Sequence, residues 1–208
     1  MKDLIKHERE KYNVIHKFTG ISENQVGYGR QLGILLNNSD PFHTKWQELL
    51  TEKNSFLEVG LGAGEIIKHL DSIGIDYCGV DISDYVVTEL TNLGLNAKEM
   101  SSHQLTLEDD SYDVVQHLDG LEHIPVEWEL ETLKEELRVA RKFVFHSNAM
   151  GDAYLDVISK QHGFDALHIN IKDEQQWDDF YQSNIDLGYN ILLKDVTTDT
   201  YRIILEKL

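Results

Sequence analysis

One stretch limits the folds open to this chain more than any other: Phe56 to Ile66, FLEVGLGAGEI. A short apolar run reads as a buried strand, and glycines then stand at 60, 62 and 64. Three glycines on one turn let the backbone reverse sharply and approach another group with no Cβ in the way. The following AGEIIKHLDSIG is amphipathic and reads as a helix. Strand, tight glycine turn and helix together open a βα unit, and such units demand a parallel sheet covered on both faces.

The rest of the chain continues that alternation. IDYCGVDI, NAKEM, SYDVVQHL and RKFVFHS read as strands, with SDYVVTELTNLG and VEWELETLKEELRVA as helices among them. After an irregular section from Asn148 to about Ile171, KDEQQWDDFYQSNIDLG is helical, and YNILLKDVTTDTYRIILEKL closes the chain as two strands around a polar turn. The expectation is a doubly wound α/β fold. Its sheet is seven-stranded and mostly parallel, with helices on both faces and a C-terminal antiparallel hairpin. Residues 1–52 form a helical segment expected to cap the site, with a glycine-containing loop at GISENQVGYGR; residues 53–208 form the main domain.

Composition narrows the setting. The chain has 208 residues, 41% hydrophobic and 27% charged, as expected for a globular protein with a real core. No apolar run approaches a membrane span, and MKDLIKHERE has no signal-peptide character, so a cytoplasmic protein with no membrane partner is expected. The single cysteine, Cys78, lies in a strand pattern and reads as core. A net charge of −18 without a Lys/Arg cluster repels a phosphate backbone, which disfavours nucleic acid as a partner. Oligomeric state is left open.

In a doubly wound sheet, ligands bind beyond the carboxyl ends of the strands. The glycine loop is the exit of the first strand, and the next helix points unpaired N–H groups at the same place. Asp81 ends the second strand seventeen residues after Gly64, where a carboxylate can accept hydrogen bonds from a ribose diol. A dinucleotide site wants G-x-G-x-x-G, but here the third glycine position holds Glu65, an anion badly placed beside pyrophosphate. A cofactor with ribose and adenine but a zwitterionic tail suits the loop better.

LEVGLGAGE, Asp81 at the end of the second strand and LEDDSYDVV at the fourth together resemble the class I S-adenosylmethionine-dependent methyltransferases, from about Ser55 to the C-terminus. The resemblance implies a Rossmann-like methyltransferase fold and S-adenosylmethionine as cofactor. It implies that Gly60, Leu61, Gly62 and Gly64 pass beside the methionine part, with Glu58 supporting the loop. Asp81 would hold the ribose diol and Ile82 would lie on the adenine face. Ser101 and Ser102 fall where the family usually places an acid for the adenine amine. Leu118 would offer its backbone to the methionine end. Arg30, with Tyr28 beside it, is the candidate for the cofactor carboxylate.

A second group follows the fourth strand in QHLDGLEHIP: Asp119, Glu122 and His123, at i, i+3 and i+4, would share one face of a helical turn. These are the candidate catalytic residues. D-x-x-E-H is similar to the E-x-x-E-H of two metal-dependent O-methyltransferase groups, one acting on catechol-like rings and one on RNA 3′ ends. With His168, these residues would form a site for a divalent metal (Mg, Mn or Zn) acting as Lewis acid; without metal, His123 is the natural general base. The leading reading is O-methylation of a small molecule, a metabolite, sugar or phenolic ring. The alternatives are metal-dependent 2′-O-methylation of an RNA 3′ end and a non-catalytic cofactor-binding regulatory module.

Overall fold

The computed structural model describes residues 2–19, 30–151 and 156–208. Seven strands form a mixed sheet in the order β3-β2-β1-β4-β5-β7-β6. The chain divides into two compact units, residues 1–102 and 103–208.

The first unit holds α1 (Lys2–Thr19), α2 (Arg30–Asn37), α3 (Pro41–Leu49), β1 (Phe56–Val59), α4 (Glu65–Ser72), β2 (Tyr77–Asp81), α5 (Asp84–Asn92) and β3 (Ala97–Glu99). β1 and β3 both pair parallel with β2, with Glu58 opposite Gly79 and Asp81 opposite Glu99. β1 and β2 are buried along their whole length, as parallel strands covered on both faces must be. Leu57, Val59, Ile66, Ile67, Cys78, Val80 and Leu90 make the core, and Cys78 is a fully buried thiol.

The second unit holds β4 (Tyr112–Leu118), a 3₁₀ turn (Leu121–His123), α6 (Val126–Val139), β5 (Ala140–Ala149), α7 (Asp156–Gln161), α8 (Glu174–Ser183), β6 (Tyr189–Val196) and β7 (Thr200–Lys207). β4 and β5 are parallel, and β7 runs antiparallel to both β5 and β6. α7 falls inside the section expected to be irregular. Its six residues, DVISKQ, are too few to carry a helical period in sequence. Among the described residues, no helix is long and apolar enough to cross a membrane.

Inside this unit lies a polar cluster that no local pattern announces. Glu136 of α6 is fully buried and accepts from His117 Nδ1 of β4 and His146 Nε2 of β5, each at 2.7 Å. His146 Nδ1 stands 2.7 Å from the Tyr181 hydroxyl, and that hydroxyl accepts from Asn148 Nδ2 at 3.1 Å. Burial opposes ionisation of Glu136, but the two imidazoles outweigh it and hold the carboxyl down to about 2. A carboxylate depressed from 4.5 stabilises the fold above pH 4.5, and that contribution is lost as pH falls toward 2. Glu136→Gln is therefore expected to cost about 3–5 kcal/mol at pH 7, because it strips the charge that the imidazoles surround. Urea unfolding at pH 7 and pH 3 checks this: the gap between variant and wild type should narrow at pH 3. An equal gap at both would show that Glu136 is not held ionised.

Candidate functional site

β1 runs into the glycine loop, where Gly60, Gly62 and Gly64 all have positive φ, 77°, 51° and 72°. Gly64 is the N-cap of α4, and a Cβ there would stand 2.4 Å from Leu90 Cδ2. Glycine offers no capping side chain, and Glu58 supplies one from β1: its carboxyl accepts from the backbone N–H of Ile67 in the first turn of α4. Glu58 is buried, and its Oε2 has no hydrogen-bond partner among the described residues. Burial pushes this carboxyl well above the carboxylate range. The Ile67 N–H opposes that shift, and the charges of Asp81 and Glu65 add to it. With Glu65 in its first turn, the N-terminus of α4 is a poor seat for a phosphate.

Asp81, buried at the end of β2, joins the parts of the loop. Its Oδ2 accepts from Leu61 N and its Oδ1 from Ser83 N, both at 2.8 Å. Its carbonyl accepts from Met100 N at 2.9 Å, just beyond β3. A carboxylate offers roughly four lone-pair sites, so two remain for a diol. Leu61 turns its side chain inward, where a Cβ on Gly79 would come within 2.3 Å of it, and its carbonyl accepts from Gly64 N. Leu61 thus holds the loop from within. Ile82, Ser101 and Ser102 are half-buried around this edge. Tyr28 and the side chain of Arg30 lie outside the described residues.

Sequence reasoning missed what α1 brings to this place. Asn13 Oδ1 accepts from Ser83 Oγ (2.6 Å) and Tyr85 N (3.3 Å), and its Nδ2 donates to Asp84 Oδ1 (2.6 Å). Ser83 is the N-cap of α5, so Asn13 is a second cap on the same helix. His16, one turn further along α1, is buried and feels the Asp81 charge. No motif marks either residue; only the one-turn spacing of polar residues on an otherwise amphipathic helix could have drawn attention to them.

In the second unit, Leu118 ends β4 half-buried and Asp119 follows with φ 49°. Asp119 is pinned to β5: its N–H donates to the Ser147 carbonyl (2.6 Å) and its Oδ1 accepts from the Ser147 hydroxyl (3.0 Å). The 3₁₀ turn begins only after Gly120, so Asp119 is not on its face. Asp119, Glu122 and His123 do not share one helical stripe, because the left-handed residue breaks the turn before it starts.

Glu122, His123 and His168 do come together, each offering a ligand atom within 4.8 Å of the others; Asp119 is not in that group. Glu122 is fully buried. Its Oε1 accepts from Ala149 N (2.8 Å), and its Oε2 has no hydrogen-bond partner among the described residues. Burial, and then the Asp119 charge, push its carboxyl well above the carboxylate range, while neighbouring backbone N–H groups pull the other way. His123 Nδ1 stands 3.2 Å from the Leu167 carbonyl, and His168 Nδ1 contacts the Gly151 carbonyl. A carbonyl only accepts, so both rings carry their proton on Nδ1 when neutral and present the Nε2 lone pair. The rings meet edge to face with centroids 4.6 Å apart. The segment bearing His168 is tied down by Ile169 N and Asn170 N, which both donate to the Glu122 carbonyl.

A methyltransferase-domain family model matches residues 57–143. A comparison with curated proteins gives no match. Among solved structures, a magnesium protoporphyrin IX methyltransferase from Synechocystis PCC 6803 with bound SAH is 19% identical, with a TM-score of 0.68 and 100% of both chains covered. A SAM-dependent methyltransferase from Methanosarcina mazei is 18% identical with a TM-score of 0.63, over 79% of this chain and 97% of its own. A putative sarcosine dimethylglycine methyltransferase from Galdieria sulphuraria is 15% identical with a TM-score of 0.60, over 86% of this chain and 85% of its own. These likenesses carry the fold. The family match covers the strand, glycine loop and following helices, so residues 57–143 are similar to a methyltransferase domain and the fold is that of S-adenosylmethionine-dependent methyltransferases.

Proposed function

We propose that the protein transfers a methyl group to an oxygen of a small-molecule acceptor, with His123 handling the acceptor proton. The observation that carries this is the tautomer of His123, whose Nδ1–H points at the Leu167 carbonyl and leaves Nε2 as the base. S-adenosylmethionine supplies an electrophilic methyl on a sulfonium. The residues of the chain bind and aim around it. In this reading Asp81 accepts the two ribose hydroxyls on its remaining lone pairs, and Ile82 covers the adenine beside Ser101 and Ser102. Gly60 and Gly62 admit the methionine part, and Glu58, Gly64 and Leu61 hold the loop in shape. Leu118 offers its backbone to the methionine end, and Arg30 with Tyr28 is retained as the candidate for the carboxylate. Residues 1–52 are read as a cap over the site and 53–208 as the methyltransferase domain. Much of the acceleration would come from positioning, since the donor is already activated.

A divalent metal is the second reading, favoured by the orphaned Oε2 of Glu122 and by ligand atoms of Glu122, His123 and His168 that lie within 4.8 Å of one another. Nδ1–H donation to backbone carbonyls is the outer-shell pattern usual for metal-binding histidines. One carboxylate and two imidazoles suit zinc or manganese better than magnesium, which prefers oxygen ligands. Such an ion would lower the pKa of an acceptor hydroxyl. Methylation of an RNA end would use the same residues, but the net charge of −18 weighs against a polyanionic acceptor. The neighbours named above carry names for acceptors as unlike as magnesium protoporphyrin IX and sarcosine, so fold alone does not choose one.

Calorimetric titration with S-adenosylhomocysteine tests the donor side. Asp81→Ala should weaken binding by roughly ten- to a hundredfold, the worth of two hydrogen bonds to a charged group. Unchanged affinity would sink the ribose assignment. Metal binding is tested by titrating Zn²⁺, Mn²⁺ and Mg²⁺ into chelator-stripped protein saturated with S-adenosylhomocysteine. Zinc or manganese should bind to wild type and to Asp119→Ala but not to Glu122→Gln or His168→Ala. Absence of binding to wild type would leave His123 acting alone.

A further inference from the structure

Residues 167–172 carry His168 past the Leu121–His123 turn without forming a helix or a strand, so no ladder of their own holds them. Backbone contacts seat the first part. Ile169 N and Asn170 N donate to the Glu122 carbonyl at 2.9 and 3.0 Å, and the Leu167 carbonyl faces His123 Nδ1 at 3.2 Å. Beyond Asn170 the hold passes to side chains. Asn170 Nδ2 is shared between the Leu121 carbonyl and Glu129 Oε1 of α6, each at 3.2 Å. Lys172 Nζ donates to the same Glu129 oxygen at 2.6 Å and to Asn170 Oδ1, and it stands 4.6 Å from the centre of the Trp177 ring on α8. One ammonium thus gathers α6, α8 and the segment bearing His168.

We propose that Lys172 is a positioning residue for the candidate acceptor site: through Glu129 and Asn170 it sets where His168 stands relative to Glu122 and His123. This rests on reading Glu122, His123 and His168 as that site. Glu129 is 5% exposed, and a carboxylate so buried needs a cation in place of its lost solvation. Lys172 pairs with it, its own side chain only 14% exposed. The ammonium gives protons to Glu129 and Asn170, and the Trp177 ring offers a face for the remaining charge. Stability alone is a weak reason to bury such a pair, because apolar side chains of the same volume need no desolvation. Its location is the better reason. Asn170 joins the pair directly to the Leu121 carbonyl, at the head of the turn that carries Glu122 and His123. His168 lies between the tied carbonyl of Leu167 and the tied amide of Ile169, half-buried, with its Nδ1 on the Gly151 carbonyl. Loss of the clamp at Lys172 lets the segment lift from the turn and takes His168 away from the His123 ring, which it meets edge to face at 4.6 Å.

Lys172→Met removes the charge and keeps the length of the side chain, whereas Lys172→Arg keeps the charge. NMR of chelator-stripped protein reads the nuclear Overhauser effect between the His123 and His168 ring protons. That signal should be lost or much weakened in Lys172→Met and retained in Lys172→Arg. A purely structural role would lower the melting temperature of Lys172→Met and leave the signal at wild-type strength, which would overturn the proposal. If Lys172→Met does not fold, Glu129→Gln carries the same test, since it keeps an oxygen at the clamp and removes the counter-charge of Lys172. Zinc titration into the same proteins, saturated with S-adenosylhomocysteine, gives a second readout. Affinity should fall about tenfold in Lys172→Met and stay near wild type in Lys172→Arg. A wild type that bound no zinc would remove the metal reading, and the ring-to-ring signal would still decide the role of Lys172.

Discussion

The carboxylate of Asp81 is the joint on which the first unit depends. Two backbone N–H groups, from the glycine loop and from the start of the next βα turn, converge on its two oxygens. Its carbonyl takes a third from beyond β3. Left without it, Leu61 N and Ser83 N would be buried donors in search of an acceptor, each costing about 1–3 kcal/mol. The loop and the strand exit are therefore one object, and Asn13 of α1 extends it by capping α5 from the other side. Electrostatics follow from the same geometry. The carboxyls of Glu65 and Asp81 lie beside the loop, which makes it hospitable to a cationic or zwitterionic ligand and hostile to phosphate.

The second unit solves a similar problem along β5. His146 and Asn148 face the buried cluster around Glu136 and Tyr181, while Ser147, between them, reaches Asp119. The N–H of Ala149 then takes one oxygen of Glu122. A single strand thus anchors a charged core and aims the turn that carries Glu122 and His123. Gly120 joins the two. A Cβ there would stand 1.9 Å from the His117 ring, which Glu136 holds in place. In each unit a buried carboxylate oxygen without a hydrogen-bond partner among the described residues, Oε2 of Glu58 and Oε2 of Glu122, belongs to a residue next to the groups read as functional.

Most of the fold was legible because its signals are local. FLEV, YCGVD and YDVVQHL are apolar runs bounded by turn residues, and EIIKHLDS carries a helical period. The glycine loop and Asp81 were legible because φ above zero and a strand-end carboxylate are conditions on single residues. The stripe of Asp119, Glu122 and His123 was misjudged, since spacing alone assumes a continuous helix and Asp119 stands in left-handed backbone. His168 could be connected with Glu122 and His123 only through a family likeness, and the structure supplies the contact through Leu167, Ile169 and Asn170. The His117–Glu136–His146–Tyr181 cluster was invisible. Its members are separated by 19, 10 and 35 residues along the chain, and nothing in any one segment requires the others. The role of α1 at Ser83 was hidden for the same reason.

The central claim is that the glycine loop and the β2 exit form one cofactor-binding surface joined at Asp81. Amide hydrogen exchange with and without S-adenosylhomocysteine tests it most directly. The account predicts that protection rises together at Leu61, Ser83 and Ile67 when the cofactor product binds, with the hairpin of β6 and β7 unchanged. Binding that left those three amides untouched, or protected the hairpin in their place, would contradict it.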